Sequence, residues 1–219
     1  MTSLEKKVSI PRYTFGEELA NAITHGIGGA LGIAALVLCV VKAALFSGAA
    51  AVVSAAIYGS TLIILYSVSS VYHALRINKA KRVMRIIDHC SIYLLIAGTY
   101  TPYTLVSLRG ALGWVLFGVV WGAAALGIVC NSIDIKKFRV LSFITYIASG
   151  WVIVVAFVPL SAVIGTAGAG LLIGGGVIYT VGAVFYLIGK KLRYMHSAFH
   201  LFVLAGSILH FFSILLYVL

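Results

Sequence analysis

Apolar positions in this chain run on in blocks long enough to cross a bilayer, which takes about 20 residues of helix. Seven blocks stand out, at residues 18–46, 51–74, 86–107, 112–131, 140–160, 168–189 and 196–219, with short polar connections between them. They predict an all-α fold: a polytopic membrane protein built as a seven-transmembrane-helix bundle. Residues 1–219 are expected to form a single membrane domain, with 1–16 a short segment ahead of the first span. The first block is too long for the apolar part of a cleaved signal peptide, so it is expected to stay as a helix. Pro102 should kink or end the third helix. Gly118 with Gly122, and Gly170 with Gly174, put small residues on one helical face. They predict close helix packing, within the chain more readily than between copies.

Composition agrees with the blocks. Of 219 residues, 62% are hydrophobic and 10% charged, and the mean hydropathy is +1.12. A soluble fold carries about 25% charged residues, so this chain lacks the polar surface to live in water. The net charge of +11 would suggest a polyanion partner in a soluble protein, but its distribution says otherwise. Lys6, Lys7 and Arg12 precede the first block. Arg76, Lys79, Lys81, Arg82 and Arg85 follow the second, Lys136, Lys137 and Arg139 the fourth, and Lys190, Lys191 and Arg193 the sixth. Fourteen of the sixteen basic residues thus fall on one side, against Lys42 and Arg109 on the other. By the positive-inside rule the N-terminus is cytoplasmic and the C-terminus outside. The excess is a topology signal and no sign of nucleic-acid binding. Cys39, Cys90 and Cys130 each lie in an apolar stretch without a C-x-x-C pair, which predicts small packing residues.

The polar residues inside the blocks carry the chemistry, because an ionisable group in a membrane is expensive to keep. Five of six histidines fall toward the cytoplasmic ends of their helices: His25, His73, His89, His196 and His200; His210 lies deeper and reads as a packing residue. His196 and His200, four residues apart, share one helix face, where two imidazoles can reach one metal or bond to neighbouring helices. His73 arrives at the same depth from the second helix, with Ser69 one turn away, and Asp88 enters from the third. Three neutral imidazoles suit zinc and leave a fourth tetrahedral position for water, which Asp88 and Ser69 can hydrogen-bond. Asp88 also has a plainer reading, as an interfacial residue at a helix N-terminus stabilised by the macrodipole. Glu17, Asn21 and His25 form a stripe on the first helix, either supporting such a site or packing against other helices. His89 should point about 100° away from Asp88, toward an interface or into packing elsewhere.

These residues carry a resemblance. Glu17-x-x-x-Asn21-x-x-Thr24-His25-Gly26, Ser69-x-x-Tyr72-His73, the run from Asp88-His89-Cys90 to Gly98-Thr99-Tyr100-Thr101-Pro102, and His196-x-x-x-His200 through His210-Phe211 are spread over nearly the whole chain. The chain resembles the bacterial haemolysin III branch of the progestin and adiponectin receptor superfamily. The resemblance implies seven helices, a cytoplasmic N-terminus, and Zn2+ held by His73, His196 and His200, with Ser69 and Asp88 beside the metal-bound water. The wider group includes alkaline ceramidases, which implies hydrolysis of a lipid amide or ester. The leading expectation is therefore a multi-pass protein of the inner (plasma) membrane, zinc-binding, with a hydrolase-like site whose catalytic pair is Asp88 and Ser69 and whose partner is a membrane lipid. Two other readings stay open: a cytolytic, haemolytic membrane protein, and a non-enzymatic sensor of membrane homeostasis, each with a structural zinc.

Overall fold

The computed structural model describes residues 3–189 and 192–219. Lys190 and Lys191 of the charge count lie outside the described residues. Helix dominates, and no strand occurs among the described residues. A short helix α1 (Ser3–Lys7) leads into an extended segment, then α2 (Phe15–Phe46), α3 (Ala49–Ala74), α4 (Lys79–Pro102), α5 (Gly110–Ile133), α6 (Arg139–Trp151), α7 (Phe157–Ile188) and α8 (Met195–Tyr217). Five helical stretches are long and apolar enough to cross a membrane: Phe15–Phe46, Ala49–Ala74, Gly110–Ile133, Arg139–Ile188 and Met195–Tyr217. The fourth of these, 50 residues long, is a hairpin. Gly165, at φ 70°, breaks it, and the Trp151 indole N–H donates across the two halves to the Thr180 hydroxyl at 3.0 Å. With that hairpin opened, seven long rods make the bundle.

Each rod starts and stops for a local reason. Thr14 caps α2 in a reciprocal box with Glu17, satisfying amide groups that an apolar surrounding would leave orphaned. Asn78 caps α4 by accepting from the Lys81 amide at 2.9 Å. That cap moves the start of the third rod seven residues upstream of the expected 86, since its first two turns are basic and amphipathic and carry no apolar run. Asp88 therefore sits more than two turns inside the helix. Macrodipole stabilisation fades within the first turn, so the N-terminal reading of Asp88 does not hold. At the other end, Pro102 closes α4 and a single π-helical turn, Tyr103–Ser107, follows. Proline lacks the amide and crowds the preceding turn; here Thr101 and Thr104 fold their hydroxyls back onto the Ala97 and Tyr100 carbonyls. Between α6 and α7 the backbone tightens into a 3-10 turn, Val152–Ala156. The Tyr100 hydroxyl bridges this irregular stretch, donating to the Gly150 carbonyl at 2.9 Å and accepting from the Ile153 amide at 2.9 Å. Non-helical backbone survives at such depth only when its groups are satisfied in this way.

Neighbouring rods pack through glycines, though not the expected ones. A Cβ built on Gly118, Gly122 or Gly170 would meet nothing within 4 Å, and on Gly174 only the end of Leu209. Both expected motifs thus fail as packing seams. Large side chains fill the close approaches instead: Gly28 lies under Tyr66, Gly98 against Thr61, Gly127 under Tyr93, and Gly206 under Tyr179. Helices in this bundle meet by seating an aromatic ring or a hydroxyl on a bare backbone, so the relevant signal is one glycine facing one tyrosine. The cysteines are free, Cys39 and Cys90 buried and Cys130 half-buried, in keeping with the packing role expected of them.

Gly98→Ala should lower the unfolding free energy in mild detergent by about 1–3 kcal/mol through overpacking against Thr61. Gly118→Ala should leave it unchanged, as followed by denaturant titration of tryptophan fluorescence.

Candidate metal centre

The stripe on α2 is the foundation of the polar centre. Glu17, Asn21 and His25 face α8 and its leading turn, one above another. Glu17 accepts the Tyr194 amide at 2.9 Å, Asn21 accepts the Ser197 hydroxyl at 2.6 Å, and the His25 ring stacks on His200, with centroids 3.6 Å apart and planes 14° from parallel. Tyr194 takes a left-handed conformation, φ 60°, unfavourable for a residue with a side chain; the Glu17 carboxylate holds that amide where α8 can begin. The stripe therefore packs α2 against α8, as one of its two readings expected, and sets Asn21 and His25 beside His73 and His200.

Glu18, next in sequence, turns to α3 and α4. Its carboxylate binds His73 Nδ1 at 2.6 Å and the Lys81 ammonium at 2.6 Å. The short contact settles the His73 tautomer: Nδ1 carries the proton and donates to Glu18. The Asn21 amide nitrogen, 3.4 Å from the same Nδ1, is then a packing neighbour. His73 Nε2 is left with its lone pair free, buried, and without a partner.

That lone pair faces the other two imidazoles. His73, His196 and His200 each offer one ligand atom, and these lie within 4.8 Å of one another. The Nε2 atoms of His196 and His200 are 3.2 Å apart. Two nitrogens on one tetrahedral zinc, each at 2.0–2.1 Å, stand about 3.3 Å from each other. The three rings fit a metal ion by this spacing, by the orphaned His73 nitrogen and by an all-imidazole donor set. Tyr13, from the extended segment before α2, stacks on His196 at 5.1 Å and covers the cluster. Burial raises the Tyr13 phenol above its ordinary pKa, so it stays protonated at neutral pH.

Asp88 and Ser69 stand beside this cluster. The Ser69 hydroxyl donates toward the Asp88 carboxylate, and both line a cavity of about 1020 Å³ together with His25, His196 and His200. His89 lies on the same wall, contrary to the interface or packing expected for it. Its Nδ1 donates to the Arg85 carbonyl at 3.0 Å and stands 3.7 Å from Asp88. The cavity runs from Asp88 to Tyr100 along α4, about 18 Å at 1.5 Å per residue. Its upper end is polar; below, Ile92, Leu95, Ile96, Phe143 and Val203 line it. His210 packs as expected, donating to the Leu172 carbonyl at 3.1 Å, against the Tyr179 ring.

A model of the family described as haemolysin-III related matches residues 13–211. The chain belongs to this family. It is 45% identical over 203 residues to Hemolysin-3 of Bacillus cereus, covering 93% of this chain and 92% of that one. It is 45% identical over 205 residues to the Hemolysin-3 homolog of Bacillus subtilis (strain 168), covering 94% and 96%. A more distant relative, the human monocyte to macrophage differentiation factor, is 28% identical over 169 residues, covering 74% of this chain and 69% of that protein. As a haemolysin III-family member with several membrane-crossing helices, it is a multi-pass protein of the plasma membrane.

Sequence reasoning brought His73, His196, His200, Asp88 and Ser69 forward, and all five meet at this end of the haemolysin III fold. It missed Glu18, Ser197 and Tyr13. Glu18 did leave a signal, since a carboxylate three residues before Asn21 and seven before His25 falls on the face that bears them. Asn21→Leu should strand the buried Ser197 hydroxyl and cost about 1–3 kcal/mol of unfolding free energy. Ser161→Ala, at a half-buried hydroxyl that bonds only within its own turn to the Val158 carbonyl, should cost almost none, both measured by denaturant titration.

Proposed function

We propose that this haemolysin III-family protein holds zinc on His73, His196 and His200 and hydrolyses a lipid amide or ester at that site. The observation that carries the reading is the buried, partnerless Nε2 of His73, turned toward two further imidazoles at the polar end of a lipid-sized cavity. Three neutral imidazoles are the donor set that zinc favours, with one position left open. A zinc ion there supplies Lewis acidity, which acidifies water and polarises a carbonyl. The chain's own residues do the rest. Glu18 fixes the His73 ring so that Nε2 points inward; outer carboxylates of this kind are part of a working metal site. Asp88 accepts the proton of the attacking water and returns it to the leaving group, and Ser69 orients that water and the carboxylate. The apolar wall below takes the acyl chain, and the cover made by Tyr13 keeps bulk water away. The seven rods are taken as seven spans with the N-terminus in the cytoplasm, supported by the basic residues Arg12, Arg85, Lys136, Arg139 and Arg193 gathered at one end of the cavity.

The name Hemolysin-3 borne by the Bacillus cereus relative favours a second reading, membrane lysis with the metal as a structural element. Liposome leakage that survives Asp88→Asn would speak for it.

Purified wild-type protein should carry about one zinc per chain by mass spectrometry, and His196→Ala with His200→Ala should carry none. Unchanged metal content in the double variant would end the proposal. Asp88→Asn should keep the metal yet slow release of fatty acid from a lipid amide or ester by about 10²–10⁴-fold. Glu18→Gln should weaken zinc affinity by about 10–100-fold in chelator competition.

A further inference from the structure

We infer that the mouth of the cavity is an anion-binding subsite centred on Arg85, and that it takes the net-anionic, monoester phosphate headgroup of an amphiphile. This deepens the proposed function and rests on it for the acyl chain in the cavity, though not for the metal.

Arg85 is only 9% exposed, and it lines the cavity one helical turn from Asp88. One end of its guanidinium donates to the Ser9 carbonyl, while Nε is buried without any partner. A guanidinium is charged at every accessible pH and a buried one calls for a counter-charge. None of the ion pairs among the described residues includes Arg85. The carboxylates are engaged elsewhere: Glu18 with His73 and Lys81, Glu17 with Thr14 and Tyr194, Glu5 with Arg82, and Asp134 with the Lys136 and Lys137 amides. Asp88 forms no ion pair with Arg85 although the two feel each other's field; its contacts are to Ser69 and His89.

The surroundings repeat the sign. Arg12, Lys136, Arg139 and Arg193 line the same cavity and are all exposed. Exposed cations alone would be explained by membrane topology. Arg85 is different, because burial removes it from any lipid surface, while its partnerless Nε stands at the cavity outside any ion pair among the described residues. A planar guanidinium matches a phosphate through two parallel hydrogen bonds. Apolar walls begin directly below, so the ligand that satisfies both ends carries phosphate at the head and a hydrocarbon chain beneath. A headgroup held at Arg85 would put the linkage behind it beside Asp88 and the histidines.

Calorimetry on the full chain in mild detergent tests this, with dihexanoyl phosphatidic acid, dihexanoyl phosphatidylcholine and inorganic phosphate as probes. Phosphatidic acid should bind at least about tenfold more tightly than phosphatidylcholine, and Arg85→Gln should erase that preference, while Arg85→Lys keeps part of it. Inorganic phosphate binding as tightly as phosphatidic acid would retain the subsite and assign it to the free ion. Equal affinity for the two lipids, or an unchanged preference in Arg85→Gln, would overturn the proposal. Should Arg85→Gln fail to fold, the wild-type preference and its weakening in Arg139→Gln/Arg193→Gln decide the matter. Each measurement is repeated on chelator-stripped protein: a preference that persists there stands even if zinc binding or hydrolysis fails.

Discussion

In an apolar bundle a buried polar atom without a partner is costly, and the seam between α2 and α8 is where this chain meets that cost. Glu17, Asn21 and His25 from α2 engage Tyr194, Ser197 and His200 in one ladder. Glu18, one residue along, reaches the other way to His73 on α3 and Lys81 on α4. A single helical stripe thereby ties four rods together over little more than two turns. Were it apolar, His73 would lose the carboxylate that sets its tautomer, and α8 would lose the acceptor that positions its first turn. Packing and chemistry rest on the same contacts here.

The same constraint shapes the rest of the bundle. Where the backbone departs from α-helix, a hydroxyl steps in, as Tyr100 does at the break after α6 and Thr101 and Thr104 do around Pro102. Of the buried polar atoms left without a partner, some face the cavity or the histidine cluster. His73 Nε2 and Arg85 Nε are of this kind. Nearly all buried polar groups in a folded protein are paired, and the proposed metal and anion sites rest on these two. The first calls for a cation and the second for an anion. The proposed phosphate head would meet the second demand, one helical turn from Asp88.

Much of this was legible in the chain. Long apolar blocks pointed to membrane helices, and five helical stretches among the described residues are long and apolar enough to cross a membrane. Spacing of four put His196 and His200 on one face, and common depth brought in His73, Asp88 and Ser69, since helical rise converts residue number into height. Height is all it converts. Which rods are neighbours, and how each is rotated, depends on side chains meeting across the bundle. The glycine motifs at Gly118 and Gly170 show the limit: their spacing is right, yet they face open space, while isolated Gly98 and Gly127 take the contacts.

What the sequence by itself determined is the class of the molecule, the course of its helices and the residues able to carry metal chemistry, because hydrophobic length and helical period are local properties of the chain. Only the tertiary structure decided that Glu18 orients His73, that His89 joins the cavity wall and that Arg85 is buried outside any ion pair. Each of those facts is a distance between helices far apart in sequence, set by the rotation of one rod against another, and no local pattern encodes it.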